Sequence, residues 1–246
     1  MEMCLRYIGK KLPELNLRGR LIVLPIPTTK DKKLVAGTHI TLTEVADTVE
    51  EGTLVAGYGI PENIAEMIRQ RGGVIYDGAV DEEFLEENAE MTAVGAIARI
   101  ICSERRFISG LHIGVVGFGR IGRRLVRHLL FLGARVRVYS GSATRLEALH
   151  SSAVEGRGYG EMAGISELDI LINTAPARLV RECDVDAERG PRIVELASGD
   201  GLYGVPRVEK MASVPSVMFP ESAGEAYGER IVRALKSCLG REGEGV

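Results

Sequence analysis

The stretch "HIGVVGFGRIGRRLVRHLLFLGARVRVYSGSATR", residues 112–145, decides the fold of this chain. It opens with an apolar run typical of a buried strand. The run leads into Gly117, Gly119 and Gly122, which are spaced as G-x-G-x-x-G. After the glycines, apolar residues recur at the spacing of one helix face. The pattern predicts a strand, a tight turn and a helix, and this is the context in which such glycines bind a dinucleotide.

Each glycine of this turn has a separate expected role. Gly117 would make the tight turn, Gly119 would let the backbone approach a pyrophosphate, and Gly122 would let the helix pack closely on the strand. The start of the helix would offer unpaired N–H groups and a positive dipole end to phosphate. The alternative is an ordinary glycine-rich turn between a strand and a helix.

The end of the second strand bears on which cofactor is bound. A carboxylate at this position would bind the ribose hydroxyls and repel a 2′-phosphate. The sequence has "VYSGSATR" instead, with hydroxyls at Ser140, Ser142 and Thr144 and a cation at Arg145 that can bind phosphate. We therefore predict NADP(H) as the cofactor. The alternative is that Arg145 only begins a surface helix, in which case NAD(H) could also be the cofactor.

Composition and charge narrow the class of protein. The chain has 246 residues and a net charge of -3, and its four cysteines show no C-x-x-C pair. We expect no metal site, no disulfide framework, and no binding to nucleic acid or membrane, hence a soluble cytoplasmic protein. From Arg105 to Leu146 there are nine arginines and no acidic residue. This run indicates either a solvated helix face or a nearby anionic ligand.

The rest of the chain repeats a strand-then-helix rhythm in two blocks, as parallel α/β sheets do. Strands are predicted at 20–27, 52–59, 73–79, 112–117, 134–139, 169–174, 192–197 and 216–219, with a helix that begins at Pro61. The expected fold class is α/β, with two Rossmann-like domains of parallel sheets joined by one or two bridging helices.

Four segments of the chain follow from this pattern. They are an N-terminal α/β domain on the substrate side at 1–90, a bridging helix at 91–110, a cofactor-binding Rossmann domain at 111–221, and a closing helix with a flexible tail at 222–246. We expect the closing helix to pack against the bridge.

The carboxyl ends of parallel strands are where ligands bind in open α/β sheets. In the second block these ends supply Asn173, Thr174, Ala175, Pro176 and, one strand later, Ser198 and Asp200. The residues are small or polar and would suit contacts to a cofactor and a small acid, although each segment could equally be a plain loop.

The histidines argue against one class of dehydrogenase. A D-2-hydroxy-acid dehydrogenase needs a histidine acid/base late in the chain, and no histidine follows His150. No catalytic residue is therefore assigned from the sequence.

Several segments together resemble the family formed by the A subunit of dipicolinate synthase. Besides the glycine-rich stretch they are "VLPIPTTKD", "TAVGAIARI", "DILINTAPARLV", "IVELAS" and "SAGEAYGERI", within residues 21–236. The resemblance implies two Rossmann-like domains with NADP(H) between them and an oxidoreductase acting on a dihydrodipicolinate-type cyclic dicarboxylate. It further implies that the partner is a B subunit, and that the product is pyridine-2,6-dicarboxylate in spore-forming bacteria.

The resemblance also implies roles for single residues. The cofactor loop would be Gly117, Gly119, Arg120 and Ile121, with Ser140 and Arg145 at the ribose phosphate. The substrate would face Thr28, Thr29 and Lys30, and Lys30 would pair with a carboxylate. Only about twenty residues precede the "LPIP" segment, so we expect a first domain truncated at its start. We also expect a homo-oligomer. The alternative function is a non-catalytic or regulatory subunit that binds a dinucleotide.

Overall fold

A computed structural model describes residues 1–11, 21–147, 149, 152–162, 164–186, 188–199, 201–202 and 204–241. His150, Asp200 and the predicted flexible tail from 242 onward lie outside these residues. The chain splits into two compact units, one formed by Met1–Glu87 with Pro220–Val246 and the other by Asn88–Phe219. Both units are built on parallel sheets, so the predicted α/β fold class with two Rossmann-like domains is confirmed.

The helices and strands are numbered in chain order. The helices are α1 Glu2–Lys11, α2 Leu42–Asp47, α3 Glu62–Gln70, α4 Glu82–Ser103, α5 Arg120–Phe131, α6 Ala143–Glu147, α7 Val214–Met218 and α8 Pro220–Arg241. The strands are β1 Leu21–Val23, β2 Leu54–Gly57, β3 Val74–Asp77, β4 His112–Val116, β5 Arg135–Ser140, β6 Val154–Gly158, β7 Ile170–Asn173, β8 Arg192–Glu195 and β9 Val208–Lys210. Among the described residues, no helix is both long and apolar enough to cross a membrane.

The first unit contains a three-stranded sheet in the order β1-β2-β3, with every pair parallel. Helix α3 buries Ile64, Ala65 and Ile68 against this unit's core, because these residues share one helix face. Pro61 was predicted as the first helical residue, but it is the N-cap and α3 begins at Glu62. A proline fits either position because it has no N–H to leave unpaired.

Helix α8 completes the first unit by packing on α1. Gly224 and Gly228 make this approach possible, since a Cβ atom at Gly224 would lie 2.5 Å from the Cβ atom of Met3, and one at Gly228 would lie 2.8 Å from the ring of Tyr7. The helix also contacts the first turns of α4, where the ring centroids of Tyr227 and Phe84 are 5.4 Å apart. The predicted closing helix therefore packs on α1 as well as on the start of the bridge.

The second unit contains a six-stranded parallel sheet in the order β6-β5-β4-β7-β8-β9. Numbered from its own first strand, this order is 3-2-1-4-5-6, the arrangement of dinucleotide-binding domains. Two of its strands, β6 and β9, were not predicted. They are the two edge strands of the sheet, and each is short and largely polar.

One predicted strand is wrong. Residues 216–219 were expected to form a strand, but the helix α7 covers Val214–Met218. Pro215 lies in the first turn of α7, where its fixed φ favours a helix start. A short apolar run cannot be assigned to a strand or a helix by periodicity alone.

A bridging helix was predicted at 91–110, and the helix found there is α4, which begins earlier, at Glu82, ends at Ser103 and is 22 residues long. The boundary between the two units falls within it, after Glu87. In the second unit its small apolar face, including Ala93, Ala96 and Ile100, packs in the same core cluster as Leu125 and Leu129 of α5. The closely packed sheet and helices behind α5 hold the start of that helix in place at the end of β4.

Candidate functional site

A pocket of about 400 Å³ opens at the carboxyl ends of β4, β5 and β7. The strand order reverses beside β4, at the point where open α/β sheets bind ligands. The pocket brings together these predicted residues: Gly117, Gly119, Ser140, Ser142, Arg145, Thr174, Ala175 and Pro176. It is also lined by Phe118, Gly141 and Tyr159, which the sequence did not single out.

Two of the three motif glycines are required by the protein itself. Gly117 has a φ of +94°, and a Cβ atom on it would lie 2.6 Å from Oγ1 of Thr174. A Cβ atom on Gly122 would collide with the carbonyl oxygen of Gly117. These two residues therefore let β4, the turn and α5 pack closely together.

Gly119 differs from the other two because it faces open space. No atom beyond its chain neighbours lies within 4 Å of the position that a Cβ atom would take. Its φ of -84° is also open to any residue. The fold itself therefore does not require a glycine here, but a molecule bound close to the backbone would.

The start of α5 borders the same open space. Gly119 is the N-cap of this 12-residue helix, no side chain caps it, and the first turn holds no acidic residue. Arg120 and Ile121 form the first turn of α5 and do not line the pocket. The first N–H groups of a helix have no intrahelical acceptor and carry the positive end of the dipole, so this edge favours an anion.

The end of β5 adds hydroxyls and a cation. Oγ of Ser140 accepts a hydrogen bond from the Ser142 N–H at 3.2 Å, and Oγ of Ser142 accepts one from the Arg145 N–H at 3.4 Å. Neither hydroxyl donates to another described residue. Arg145 is exposed and forms no ion pair within the described part of the chain. Two hydroxyl donors and one guanidinium are thus available on this side of the pocket.

The ring of Tyr159 closes the pocket beside Gly141. A Cβ atom on Gly141 would lie 2.9 Å from this ring, so glycine allows the close contact. Tyr159 directly follows the unpredicted strand β6. The sequence pattern therefore gave no reason to place it at the site.

Asn173 and Ser198 were predicted to contact the cofactor but do not line the pocket. The Asn173 side chain is buried, and its Nδ2 donates to Oε1 and Oε2 of Glu195 at 2.9 and 3.1 Å and to the Ala175 carbonyl at 3.0 Å. Ser198 is exposed in the loop after β8. Thr174 donates its hydroxyl to the carbonyl oxygens of Val116 and Gly117, which ties β7 to the glycine turn.

Glu195 is a buried carboxylate that sequence reasoning missed. It is the last residue of β8, and only 3% of it is exposed. Burial raises the pKa of its carboxyl group, while hydrogen bonds from Asn173 and the Ala197 N–H work in the opposite direction. A single acid at the end of an apolar strand carries no pattern that separates it from a solvent-facing residue.

The predicted substrate residues lie in the loop after β1, in the first unit. Thr28 is fully buried, and its Oγ1 accepts a hydrogen bond from the Tyr58 N–H at 2.7 Å. Thr29 donates its hydroxyl to Oδ1 of Asp31 at 3.1 Å. Lys30 is exposed and forms no ion pair with any residue that the structure describes. The three residues therefore differ in how accessible their side chains are to a ligand.

Asp31 organises this loop. Its Oδ1 accepts hydrogen bonds from the N–H groups of Lys33 and Leu34 at 2.9 and 2.8 Å. These backbone hydrogen bonds lower the pKa of its carboxyl group. The loop is held by its own side chains.

The arginine-rich stretch is largely neutralised by acids outside it. Glu90 on α4 pairs with Arg124 at 3.1 Å and with Arg127 at 2.9 Å, and Glu155 on β6 pairs with Arg137 at 2.6 Å. Of the nine arginines, Arg145 lines the pocket. Within the described chain, no three His, Cys, Asp or Glu residues form a group that could hold a metal ion.

Comparison with known proteins adds a limited sequence match. No protein-family model matches the sequence. An 18-hydroxynorfluorocurarine reductase from Strychnos sp is 41% identical over 73 residues, which cover 27% of this chain and 20% of the reductase. The chain thus matches about a fifth of that relative's length.

Solved structures match over most of the chain. The A subunit of dipicolinate synthase from Bacillus halodurans has a TM-score of 0.71 and 21% identity, covering 87% of this chain and 79% of that one. The A subunit from Bacillus subtilis has a TM-score of 0.70 and 20% identity, covering 90% and 79%. A transhydrogenase from Sinorhizobium meliloti has a TM-score of 0.62 and 18% identity, covering 90% and 74%. The chain therefore has the fold of the dipicolinate synthase A subunit, the family that its sequence motifs resemble.

Proposed function

We propose that this chain is an NADP-dependent oxidoreductase of the type found in the A subunit of dipicolinate synthase. The observation that carries the proposal is the pocket at the end of β4. There the open backbone of Gly119, the N-cap of α5, shares one cavity with Ser140, Ser142 and Arg145. An open glycine and a helix start suit a pyrophosphate, and a cation with hydroxyl donors suits a further phosphate.

The residues present fit a dinucleotide. Gly117, Gly119 and the N–H groups of Arg120 and Ile121 would hold the pyrophosphate, and Gly122 would keep α5 close enough to do so. Ser140, Ser142 and Arg145 would hold the ribose phosphate. Thr174, Ala175 and Pro176 would form the opposite wall. When bound, the cofactor supplies the hydride chemistry, and the protein's task is to bind and orient it.

For the substrate we propose a small cyclic dicarboxylate of the dihydrodipicolinate class. Lys30 is the residue that we assign to a substrate carboxylate, because it is exposed and has no described ion pair. Thr29 would lie beside it, and Thr28 would shape the loop from its buried position. Under the same proposal the protein works with a B subunit in the cytoplasm of a spore-forming bacterium and forms a homo-oligomer.

A regulatory subunit that binds a dinucleotide is the second candidate. One observation favours it. Among the described residues that line the pocket there is no histidine, carboxylate or cysteine, which leaves the Tyr159 phenol as the side chain there that can move a proton.

The test has two parts. We expect purified protein to bind NADPH in a fluorescence titration. With NADP⁺ as hydride acceptor it should oxidise dihydrodipicolinate to pyridine-2,6-dicarboxylate, releasing NADPH and a proton, with or without a candidate B subunit. Binding without turnover in either condition would favour the regulatory subunit. Failure to bind either NADPH or NADH would contradict both candidates.

A further inference from the structure

A buried carboxylate joins the ends of two neighbouring strands behind the pocket. Oε1 of Glu195 accepts hydrogen bonds from Nδ2 of Asn173 at 2.9 Å and from the Ala197 N–H at 2.9 Å. Oε2 accepts a second bond from Nδ2 of Asn173 at 3.1 Å. One side chain on β8 therefore collects donors from the end of β7 and from the start of the loop that follows β8.

Asn173 transmits this arrangement to the pocket wall. Its Nδ2 donates to the Ala175 carbonyl at 3.0 Å, and its Oδ1 accepts from the Ala175 N–H at 3.1 Å. Ala175 and the next residue, Pro176, line the pocket. The orientation of this amide thus fixes the backbone of the wall.

The loop after β8 is packed on the same turn. A Cβ atom at Gly201 would lie 2.7 Å from Nδ2 of Asn173 and 3.0 Å from the Ala175 carbonyl oxygen. Any side chain there would push on the amide or on the wall. Gly201 and Glu195 therefore hold Asn173 from two sides.

The contacts between Glu195, Asn173 and the loop after β8 form a junction that requires a negatively charged side chain at position 195. Glu195 accepts hydrogen bonds from Asn173 and the Ala197 N–H, and the positive charge of Lys210 also favours its ionised form. A buried carboxylate needs such partners to offset its lost hydration. A glutamine has the same shape, but its NH₂ group would face one of these N–H donors and could not accept its hydrogen bond. The junction is built for a carboxylate rather than for an amide.

We propose that Glu195 is a positioning residue that, through Asn173, sets the pocket wall at Ala175 and Pro176 for the nicotinamide half of the cofactor. The proposal rests on the proposed function. In this fold the adenosine ribose lies at the end of β5, and the dinucleotide crosses the switch point toward the β7 side. Glu195 acts on that second side and touches none of the residues proposed to hold the adenosine half.

Two ligands separate positioning from general structural support. NADPH spans the whole site, whereas adenosine 2′,5′-bisphosphate carries only the adenosine half. It keeps the 2′-phosphate expected at Ser140, Ser142 and Arg145 and one phosphate of the pyrophosphate, and it lacks the nicotinamide half. We expect Glu195→Gln to weaken NADPH binding by about tenfold or more, because a hydrogen bond to a charged group is lost. The affinity for adenosine 2′,5′-bisphosphate should stay within about twofold of the unmodified protein.

Gly201→Ala provides a second route to the same result if Glu195→Gln fails to fold. It removes no polar group but pushes on the Asn173 amide, so it should weaken NADPH selectively as well. Glu209→Gln is the matched control. It changes a carboxylate on β9 that pairs with Arg192 at 2.5 Å and with Arg99 at 3.4 Å, away from the pocket lining, and should leave both affinities unchanged.

The outcomes distinguish this inference from the proposed function. If the unmodified protein binds no NADPH, the proposed function fails. If it binds NADPH but Glu195→Gln and Gly201→Ala leave the affinity unchanged, or weaken both ligands equally, the positioning role is overturned.

Discussion

The loop after β1 and the turn after β4 both follow the carboxyl end of a parallel strand, yet they use their polar groups in opposite ways. In the first, the hydroxyl of Thr28 and the carboxylate of Asp31 are engaged by nearby backbone N–H groups. In the second, Gly119 faces open space and the guanidinium of Arg145 has no ion pair with a described residue. The first loop is closed on itself, whereas the second leaves its groups available to a ligand.

This difference separates stability from binding. Replacing a group that is engaged within the protein should lower the free energy of unfolding and leave ligand affinity alone. Replacing a group that faces the pocket should do the reverse. Substitutions in the two loops can therefore break or sharpen the comparison.

The largest effect is expected at the glycine turn. Gly119→Val should abolish dinucleotide binding with little change in stability, because the side chain fills open space that the pyrophosphate needs. Gly122→Val is the contrasting variant, because its side chain would collide with the Gly117 carbonyl oxygen and lower stability by about 1–3 kcal/mol or more. NADPH titration and urea unfolding measure the two effects. Unchanged NADPH affinity in Gly119→Val would remove the turn from the site.

The cofactor preference should be the next largest effect. One charge-assisted contact to the 2′-phosphate is worth roughly 1.5–3 kcal/mol, so NADPH should bind about tenfold to a hundredfold more tightly than NADH. Replacing Ser140 by Asp and Arg145 by Ala together should reverse the preference, because a carboxylate accepts ribose hydroxyls and repels phosphate. Equal affinities of the unmodified protein for both cofactors would leave Arg145 as a surface residue of α6.

Thr28 tests the closed loop. Thr28→Val keeps the shape of the side chain but removes the acceptor of the Tyr58 N–H. We expect the free energy of unfolding to fall by about 1–3 kcal/mol, with NADPH affinity unchanged. Thr28→Ser keeps the hydroxyl and should recover much of the loss. A stable Thr28→Val protein would contradict the closed-loop interpretation.

Lys30 is an exposed lysine of the same loop, and we expect its role in substrate binding. Lys30→Ala should raise the Michaelis constant for dihydrodipicolinate by about tenfold through loss of a charged contact. NADPH affinity and stability should not change. Lys33→Ala removes a neighbouring exposed lysine and serves as the control. An equal effect of both variants would indicate a general charge effect rather than a substrate contact.

Asp31 should show the smallest effect, and a pH dependence. Its pKa is lowered in the folded protein by the N–H groups of Leu34 and Lys33. The carboxylate therefore stabilises the fold above its unfolded pKa of about 4, and this contribution is lost as pH falls through the folded pKa. The Tm difference between the unmodified protein and Asp31→Ala should be full at neutral pH and shrink in acid. Asp31→Asn, which keeps an acceptor oxygen, should lie between them. A difference independent of pH would argue against the carboxylate.

The parts of the fold that the sequence predicted are those with local signals. The glycine spacing and the apolar periods of β4 and α5 lie within one continuous stretch, so they identify the strand, the turn and the helix together. The strands β6 and β9 could not be predicted in this way. They are edge strands, buried on fewer sides, and sequences such as "VEGRG" and "VEK" carry little apolar pattern.

The parts of the site that the sequence missed depend on tertiary contacts. Tyr159 reaches the pocket only because β6 pairs beside β5. Glu195 is buried only because Asn173 and the following loop supply donors from separate segments. The sequence identified Asn173 and Thr28 as polar residues at strand ends. It could not show that both side chains form hydrogen bonds within the protein rather than with a ligand.

The first unit is assembled from the two ends of the chain, because α8 packs on α1 and on the start of α4. Residues Asn88–Phe219 form one uninterrupted segment that is synthesised before α8. The second unit therefore does not need α8 in order to fold, since domains generally fold as units. The first unit needs α8 against α1 and Phe84, so it is completed only after the whole of the second unit has been synthesised.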